Sequence, residues 1–198
     1  GTDYFCEISS ITEDTVFLNI KEQKLCSAEP SVDLTLFQAI PKQDKLEHII
    51  QKSVELGVSK IVPVLTRRCV SRPDKKDFEK KLVRLNKIAL EAAKQSGRGI
   101  IPTVEPMISF DEAIIQMKEY DCPAMLYEEG GIRFSELNTQ EKKSFALFVG
   151  SEGGFDESEA EAAREAGIAS IWLGERILRC ETAPLTAISI LMFITKNL

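Results

Sequence analysis

The sequence has 198 residues, of which 43% are hydrophobic and 28% charged, and its formal net charge is −6. This is the composition of a globular protein, and it excludes a collagen-like fibre, wholesale disorder and a coiled coil. The most apolar stretch, residues 183–194, is far shorter than the ~20 residues that a membrane-spanning helix needs. We therefore expect no membrane span, and the polar start of the chain predicts no secretory signal.

Cysteine and histidine usage argues against disulfides and metal sites. The five cysteines are widely spaced and include no CxxC pair, and His48 is the only histidine. Disulfide frameworks and zinc sites need paired or clustered ligands. We expect no metal and a cytoplasmic protein. His48 lies within a helical pattern, where a surface or core role is favoured over catalysis.

Two alternating segments at the start of the chain predict a β-hairpin. Apolar and polar residues alternate over 4–8 and 16–20, and Glu13 and Asp14 lie between them as a turn. A lone hairpin is at best marginally stable in water. We therefore expect residues 1–28 to belong to a small β domain whose other strands lie upstream.

Strand and helix patterns alternate from residue 32 to residue 198. Strands are predicted over residues 32–40, 58–65, 124–127, 145–149 and 170–173. Helices are predicted with capping boxes at Asp44/Glu47, Ser109/Glu112 and Asp156/Glu159 and with closing glycines at 57, 97 and 167. Pro63 indicates an edge or a bulge in its strand. The alternation predicts an α/β fold, an open parallel sheet with helices on both faces.

The last helix, predicted to start near Thr182, has almost no polar face. Its large apolar side chains are Leu185, Ile188, Ile190, Leu191, Met192, Phe193 and Ile194. A helix on the surface of a domain normally shows a polar face. We therefore expect this helix to be covered on more than one side, either by its own domain or by a second subunit.

Positive charge is concentrated in one part of the chain. Residues 60–98 contain twelve Lys and Arg against four Asp and Glu. Such an asymmetry can form an anion-attracting face on an acidic protein. Over residues 75–87 a solvated helix face is the favoured explanation of the charges. Arg67, Arg68 and Arg72 lie between a strand and a helix, where a loop can present their guanidinium groups to phosphate.

Three predicted strands end in glycine-rich segments, over residues 126–131, 149–155 and 173–183. Ligands of open α/β sheets bind beyond the carboxyl ends of the strands. Neither a GxxxxGK[ST] motif nor a GxGxxG motif follows any strand. Because Glu152 would point a carboxylate at a phosphate, these segments favour a neutral or cationic ligand.

The second and third segments carry a family resemblance. Residues 150–155 (GSEGGF) and 173–183 (LGERILRCETA) resemble the ribosomal small-subunit RNA (uracil-N3)-methyltransferases of the SPOUT class. Residues 51–58 (QKSVELGV) and 91–98 (EAAKQSGR) agree with them, and the resemblance covers residues 34–194.

Two positions depart from the family pattern. Ser151 stands where the family usually has Pro, and Cys180 stands where it commonly has Thr. Neither change removes a charged group, so both affect loop geometry only. The resemblance implies a C-terminal trefoil knot, one of the rare exceptions to unknotted topology. It also implies a PUA-like β-barrel that contains the hairpin of residues 1–28, and a homodimer formed through the C-terminal helix.

The resemblance further implies that S-adenosylmethionine binds to the three glycine-rich segments. The residues implied to bind it are Leu126, Tyr127, Glu128, Gly150, Glu152, Gly153, Gly154, Leu173, Gly174, Ile177, Leu178, Arg179, Thr182 and Ala183. An apolar, glycine-lined pocket suits an adenine that is read by main-chain groups, and carboxylates are compatible with a sulfonium cation.

The reaction implied is transfer of a methyl group to N3 of a uridine in 16S ribosomal RNA of the small subunit. Arg179 is the predicted stabiliser of the developing uracil anion. Glu181 or a water is the predicted base; an ion pair between Arg179 and Glu181 is the alternative. Gln95 and Arg98 are predicted RNA contacts, with helix capping as the alternative.

Two other functions remain open from the sequence. One is a SPOUT methyltransferase acting on transfer RNA, which the stretch from Gln95 to Arg98 and the β-domain segment disfavour. The other is a catalytically silent RNA-binding module, which the intact glycines and the retained Arg179 disfavour. Because nitrogen methylation needs no covalent enzyme adduct, Cys180 is interpreted as a packing residue.

Overall fold

A computed structural model describes residues 1–198. It contains nine strands: β1 Thr2–Ile11, β2 Val16–Leu25, β3 Asp33–Ala39, β4 Lys60–Leu65, β5 Thr103–Val104, β6 Ile108–Ser109, β7 Cys122–Leu126, β8 Ser144–Val149 and β9 Ala169–Ile171. Its five α-helices are α1 Lys45–Glu55, α2 Lys75–Gln95, α3 Phe110–Met117, α4 Glu157–Glu165 and α5 Thr182–Ile194. The predicted elements are therefore present in the predicted order, with boundaries that shift by a few residues.

Seven strands form one parallel sheet in the order β5-β4-β3-β8-β7-β9, with β6 beside β4. The central strands β3 and β8 pair in register from Asp33↔Ser144 to Gln38↔Val149. On one side of β3 lie β4 and then β5 and β6, and on the other side lie β8, β7 and β9 in that order. The carboxyl ends of β7, β8 and β9 therefore lie side by side, as a binding site of this fold class requires.

Helices cover both faces of this sheet, as the alternating pattern predicts. One core packs α1, α2 and α5 against the sheet and contains Ile49, Leu85 and Leu191. The other core packs α3 and α4 against the opposite face and contains Phe110 and Ala160. The predicted α/β fold, a parallel sheet flanked by helices, is thus confirmed.

Two of the three predicted capping boxes form. Ser109 and Asp156 each accept a main-chain N–H, and Glu112 and Glu159 return the bond to the cap residue. The prediction of a capping box at Asp44 is wrong. The Asp44 side chain caps nothing, because its backbone (φ −91°, ψ 12°) is not extended as an N-cap residue requires. The Glu47 carboxylate accepts from Arg84 at 2.8 Å.

Pro63 does not mark an edge strand, because β4 lies inside the sheet between β3 and two short strands. On its outer side, β4 pairs with β5 at Lys60 and Ile61 and with β6 at Val64 and Leu65. The proline lies in the gap between these two pairings. A residue without an N–H is tolerated there because no outer partner needs a donor.

The hairpin of β1 and β2 stands outside both cores. All residues of the two strands are exposed, including apolar residues such as Ile8, Leu18 and Ile20. Ile8 pairs with Leu18, and Cys6 pairs with Ile20, so these apolar side chains share one face. β2 extends to Leu25 into the predicted linker.

Helix α5 is covered on one side by its own chain. Ala187, Ile188, Leu191 and Met192 are fully buried in the core, whereas Phe193 is 71% exposed. Burial within the domain therefore accounts for part of the apolar pattern and leaves an apolar outer face. No helix combines the length and the hydropathy needed to cross a bilayer.

Candidate functional site

The three glycine-rich segments converge on one cavity of about 700 Å³ at the carboxyl ends of β7, β8 and β9. Every predicted cofactor residue except Thr182 lines it. Thr182 begins α5 and donates its main-chain N–H to the carbonyl of Arg179 at 2.8 Å. The sequence prediction had not included several further lining residues: Val149, Ser151, Phe155, Ile171, Trp172, Glu175, Arg176 and Cys180.

The wall of the cavity needs glycine at two positions after β8. Gly154 has φ +65°, and a Cβ there would meet the carboxylate of Glu128 from the loop after β7. A Cβ at Gly150 would lie 3.2 Å from the main chain of Gly154. At Gly153 a Cβ would point to Arg68 at 3.0 Å, outside the cavity. A side chain at Gly154 would therefore displace the Glu128 carboxylate, which also lines the cavity.

We expect Gly154→Val to weaken S-adenosylmethionine binding by at least about tenfold. A β-branched residue strains this left-handed backbone and displaces the Glu128 carboxylate, which lines the cavity. The matched control is Gly167→Val, because Gly167 has φ +82° with no neighbour within 4 Å of its Cβ position and does not line the cavity. Calorimetry on both variants checks this, and equal affinities would remove Gly154 from the binding site.

A cluster of charges closes one end of the cavity. Lys45 Nζ, at the start of α1, lies 3.1 Å from Glu152 Oε1 and 3.0 Å from Glu181 Oε2. Glu152 also accepts the main-chain N–H of Lys42 at 3.1 Å. Cys180 Sγ donates to Glu181 at 3.2 Å. The predicted alternative of an Arg179–Glu181 ion pair is wrong, because Lys45 is the partner of Glu181.

These contacts fix the protonation states in the cluster. Hydrogen bonds from Lys45 and Cys180 lower the pKa of Glu181 to about 2. Burial acts to raise the pKa of Glu152, but hydrogen bonds from main-chain N–H groups and Lys45 outweigh it and hold that pKa below its usual value. Burial and the bond to Glu181 raise the pKa of Cys180 to about 12. At neutral pH the cluster thus holds two carboxylates, one ammonium and one thiol.

We expect Cys180→Ala to keep methylation activity within a few-fold. A buried thiol with a pKa near 12 carries almost no thiolate at neutral pH, and only the thiolate is a strong nucleophile. Initial rates of methyl transfer measure the effect. Loss of activity together with methyl-labelling of the wild-type cysteine would contradict the packing role.

Arg179 is exposed, and its guanidinium forms neither a hydrogen bond nor an ion pair in the chain. Its carbonyl accepts the N–H groups of Thr182 and Ala183, which fixes its backbone at the entrance to α5. Arg179 also lines the cavity. Arg179 therefore combines a backbone that is fixed by hydrogen bonds with an unpaired guanidinium group at the cavity.

The three arginines after β4 differ in their surroundings. Arg67 and Arg68 are exposed, and both lie near Asp156 at the start of α4. Arg68 also donates to the carbonyl of Gly153, next to the cavity, at 3.3 Å. Arg72 is also exposed, but its Nη1 donates to three main-chain carbonyls of its own loop. All three arginines thus reach solvent, and Arg72 in addition braces the loop.

Gln95 and Arg98 also separate in the structure. Gln95 is exposed and lines an open groove of about 860 Å³ between α1 and α2, together with His48. Arg98 has a side chain only 3% exposed, which pairs with Glu29 at 2.8 Å and donates to the carbonyls of Val54 and Val58. Arg98 therefore has a structural role, contrary to its prediction as an RNA contact.

Two features of the site carried no sequence signal. Lys45 looks like any first-turn helix residue, and only the fold brings it to Glu152 and Glu181. Trp172 sits in a strand pattern, yet it lines the cavity, with the Arg133 guanidinium 5.4 Å from its ring centroid. No group of three or more His, Cys, Asp or Glu side chains is placed to hold a metal ion.

Comparison with known proteins gives a consistent result. The model of an RNA methyltransferase domain matches residues 28–192. The chain is 36% identical to ribosomal RNA small subunit methyltransferase E of Bacillus subtilis, over 100% of this chain and 80% of that protein. It is 31% identical to the protein of the same name from Aquifex aeolicus, over 97% of this chain and 82% of that protein.

A solved structure agrees with this result. The ribosomal RNA small subunit methyltransferase E of Neisseria gonorrhoeae bound to S-adenosyl methionine superposes with a TM-score of 0.89. It is 31% identical, and the match covers 98% of this chain and 79% of that one. With the fold, the three cavity loops and the matched motifs in agreement, the chain belongs to the RNA methyltransferase family, within the group of the ribosomal RNA small subunit methyltransferases E.

Proposed function

We propose that this protein transfers a methyl group from S-adenosylmethionine to N3 of a uridine in 16S ribosomal RNA. The observation that carries this proposal is the convergence of residues 126–128, 149–155 and 171–183 on one cavity. The second and third of these segments carry the sequence resemblance to the (uracil-N3)-methyltransferases. The relatives are ribosomal RNA small subunit methyltransferases, and the Neisseria structure contains the same cofactor.

The residues of the cavity fit this cofactor. Gly150 and Gly154 leave the loop after β8 without side chains that would fill it, and Leu126, Ile171 and Leu178 add apolar wall. Glu152 provides a carboxylate that is compatible with a sulfonium. When bound, S-adenosylmethionine supplies the electrophilic methyl group, and the protein supplies orientation and electrostatics.

Arg179 is placed to assist loss of the N3 proton from uracil. N3 becomes nucleophilic as that proton leaves, and negative charge then develops on O2 and O4. The Arg179 guanidinium has no carboxylate partner in the chain to neutralise it. A cation held by a fixed backbone at the cavity stabilises such charge without reorganisation.

Glu181 is poorly suited to the predicted role of base. Its pKa is about 2 because Lys45 and Cys180 hydrogen-bond to it, and a carboxylate this weakly basic accepts a proton from uracil only at a large energetic cost. We propose that solvent water takes the proton and that the role of Glu181 is to hold Lys45 in place as its ion-pair partner.

Two finer features of the fold and a cellular location belong to this proposal. A trefoil knot at the C-terminus is what the resemblance of residues 150–155 and 173–183 implies. A division into a PUA-like domain at 1–28 and a SPOUT domain at 32–198 is supported by the hairpin, whose apolar face touches neither core. A cytoplasmic location follows from the ribosomal RNA substrate.

A homodimer through α5 is supported by apolar side chains that the chain leaves uncovered. Phe193 on α5 is 71% exposed, and Ile177 on the last cavity loop is 86% exposed. A second copy of the chain would cover such side chains and regain about 1.5–3 kcal/mol for each one fully buried. We propose a two-fold symmetric pair that places α5 at its interface.

The surface formed by Arg67 and Arg68 is proposed to contact RNA phosphates, together with Gln95 on the neighbouring groove. Arg68 is linked to the cavity through the Gly153 carbonyl. Guanidinium groups at the surface suit phosphate recognition. Arg72 and Arg98 are left out of this surface because main-chain carbonyls occupy their guanidinium groups.

The experiment that tests the function is methylation of 30S subunits with labelled S-adenosylmethionine, followed by mapping of the modified base. We expect one uridine of 16S ribosomal RNA to gain a methyl group at N3. Transfer RNA added as a competing substrate should stay unlabelled. Labelling of transfer RNA would support the alternative substrate, and cofactor binding without labelling of any RNA would support a silent RNA-binding module.

A further inference from the structure

The last cavity loop has little to hold it in place. Residues 173–178 form no hydrogen bond or ion pair with any other residue, and Glu175, Arg176 and Ile177 are exposed. The loop is fixed only at its ends, by Trp172 N–H donating to Ile132 and by the residues that lead into α5. The position of residues 173–178, which line the cavity, therefore depends on the contacts at the C-terminal end of the loop.

The anchor at that end is the Lys45 ammonium. Lys45 Nζ contacts Glu181, beside the end of the loop, at 3.0 Å and Glu152, in the loop after β8, at 3.1 Å. The three side chains are 20–31% exposed, so water screens their charges only in part. Lys45 belongs to α1, which packs in the core against the central strands. One side chain on a rigid helix thus ties together two of the three cavity walls.

We propose that Lys45 is a positioning residue for the cofactor. Its ammonium joins the loop after β8 to the segment before α5 and sets the net charge beside the cavity. This inference rests on the function proposed above. Lys45 does not line the cavity, so it acts through Glu152 and Glu181. Glu152, held by Lys45 and by the Lys42 N–H, is the member of this ion-paired cluster whose carboxylate belongs to a residue lining the cavity.

Two consequences follow for binding. Without the ammonium, the last loop loses its anchor, so every ligand of the cavity should bind more weakly. The site also becomes more negative, which favours a sulfonium cation over an uncharged thioether. Loss of Lys45 should therefore weaken S-adenosylhomocysteine more than S-adenosylmethionine. A purely structural defect would weaken both ligands equally.

The test compares Lys45→Met, Lys45→Arg and a control in calorimetric titrations with both ligands. Lys52→Met is the matched control, because Lys52 lies on the same helix and pairs with Glu55 at 2.8 Å outside the cavity. For Lys45→Met we expect S-adenosylmethionine affinity to fall about tenfold, equivalent to about 1.4 kcal/mol, and S-adenosylhomocysteine affinity to fall further. Lys45→Arg should restore both within a few-fold, and Lys52→Met should change neither.

A second variant keeps the test decisive if Lys45→Met does not fold. Glu181→Gln preserves the shape of the side chain and removes one of the two ion pairs, so it should weaken S-adenosylmethionine binding in a folded protein. Unchanged affinity in Lys45→Met, or an equal loss for both ligands, would overturn the inference. Failure of the wild-type protein to bind S-adenosylmethionine would instead overturn the proposed function, so the two failures are distinguishable.

Discussion

Replacing Arg179 with alanine is expected to slow single-turnover methylation of ribosomal RNA by about 10²-fold or more, the scale of losing one preorganised oxyanion donor. The guanidinium has no partner within the chain, and its backbone is fixed by the N–H groups of Thr182 and Ala183. The substitution therefore removes the cation and leaves those main-chain hydrogen bonds in place. S-adenosylmethionine affinity should stay within a few-fold of the wild type.

Arg176→Ala is the matched control for this measurement. Arg176 lies on the same loop, also lines the cavity and is exposed, but it lacks the fixed backbone of Arg179. We expect a smaller loss of rate for Arg176→Ala. If Arg179→Ala keeps its rate and loses cofactor affinity instead, then Arg179 holds the cofactor and its catalytic role is wrong.

Much of the fold was predictable because its signals are local. The strand patterns of β3 and β4, the glycines that close the helices and the capping boxes at Ser109 and Asp156 each depend on a few neighbouring residues. The capping box at Asp44 does not form, because the Asp44 backbone (φ −91°, ψ 12°) is not extended as an N-cap residue requires. Glu47 pairs with Arg84 on another helix, a contact that a local sequence pattern does not show.

The site divides in the same way. The glycine-rich strand ends were predictable, because glycine at a strand end reports the backbone that a ligand cavity needs. The contacts that the charged side chains make were not predictable from the sequence. Arg98 and Arg72 have the composition of a basic surface, yet main-chain carbonyls occupy both guanidinium groups. Lys45 gave no signal, because its partners are more than 100 residues away in sequence.

The burial of side chains on the C-terminal helix decides which substitution can test the proposed dimer. From the sequence, Leu191→Glu is predicted to yield a monomer with weakened cofactor binding. The structure buries Leu191 completely within its own core. Leu191→Glu would place an unpaired carboxylate there, which costs several kcal/mol. We therefore expect Leu191→Glu to unfold the chain, so it does not test the interface.

Phe193→Glu is the substitution that tests the dimer, and we expect it to convert a homodimer into a folded monomer. Phe193 is 71% exposed on the outer face of α5, so the charge disturbs only what a second copy covers. Val83→Glu is the matched control, because Val83 is 78% exposed on α2, and it should stay dimeric. Light scattering at micromolar concentration reads the mass, and circular dichroism confirms the fold. A wild-type monomer under these conditions would show that the apolar face of α5 stays in water and would contradict the proposed interface.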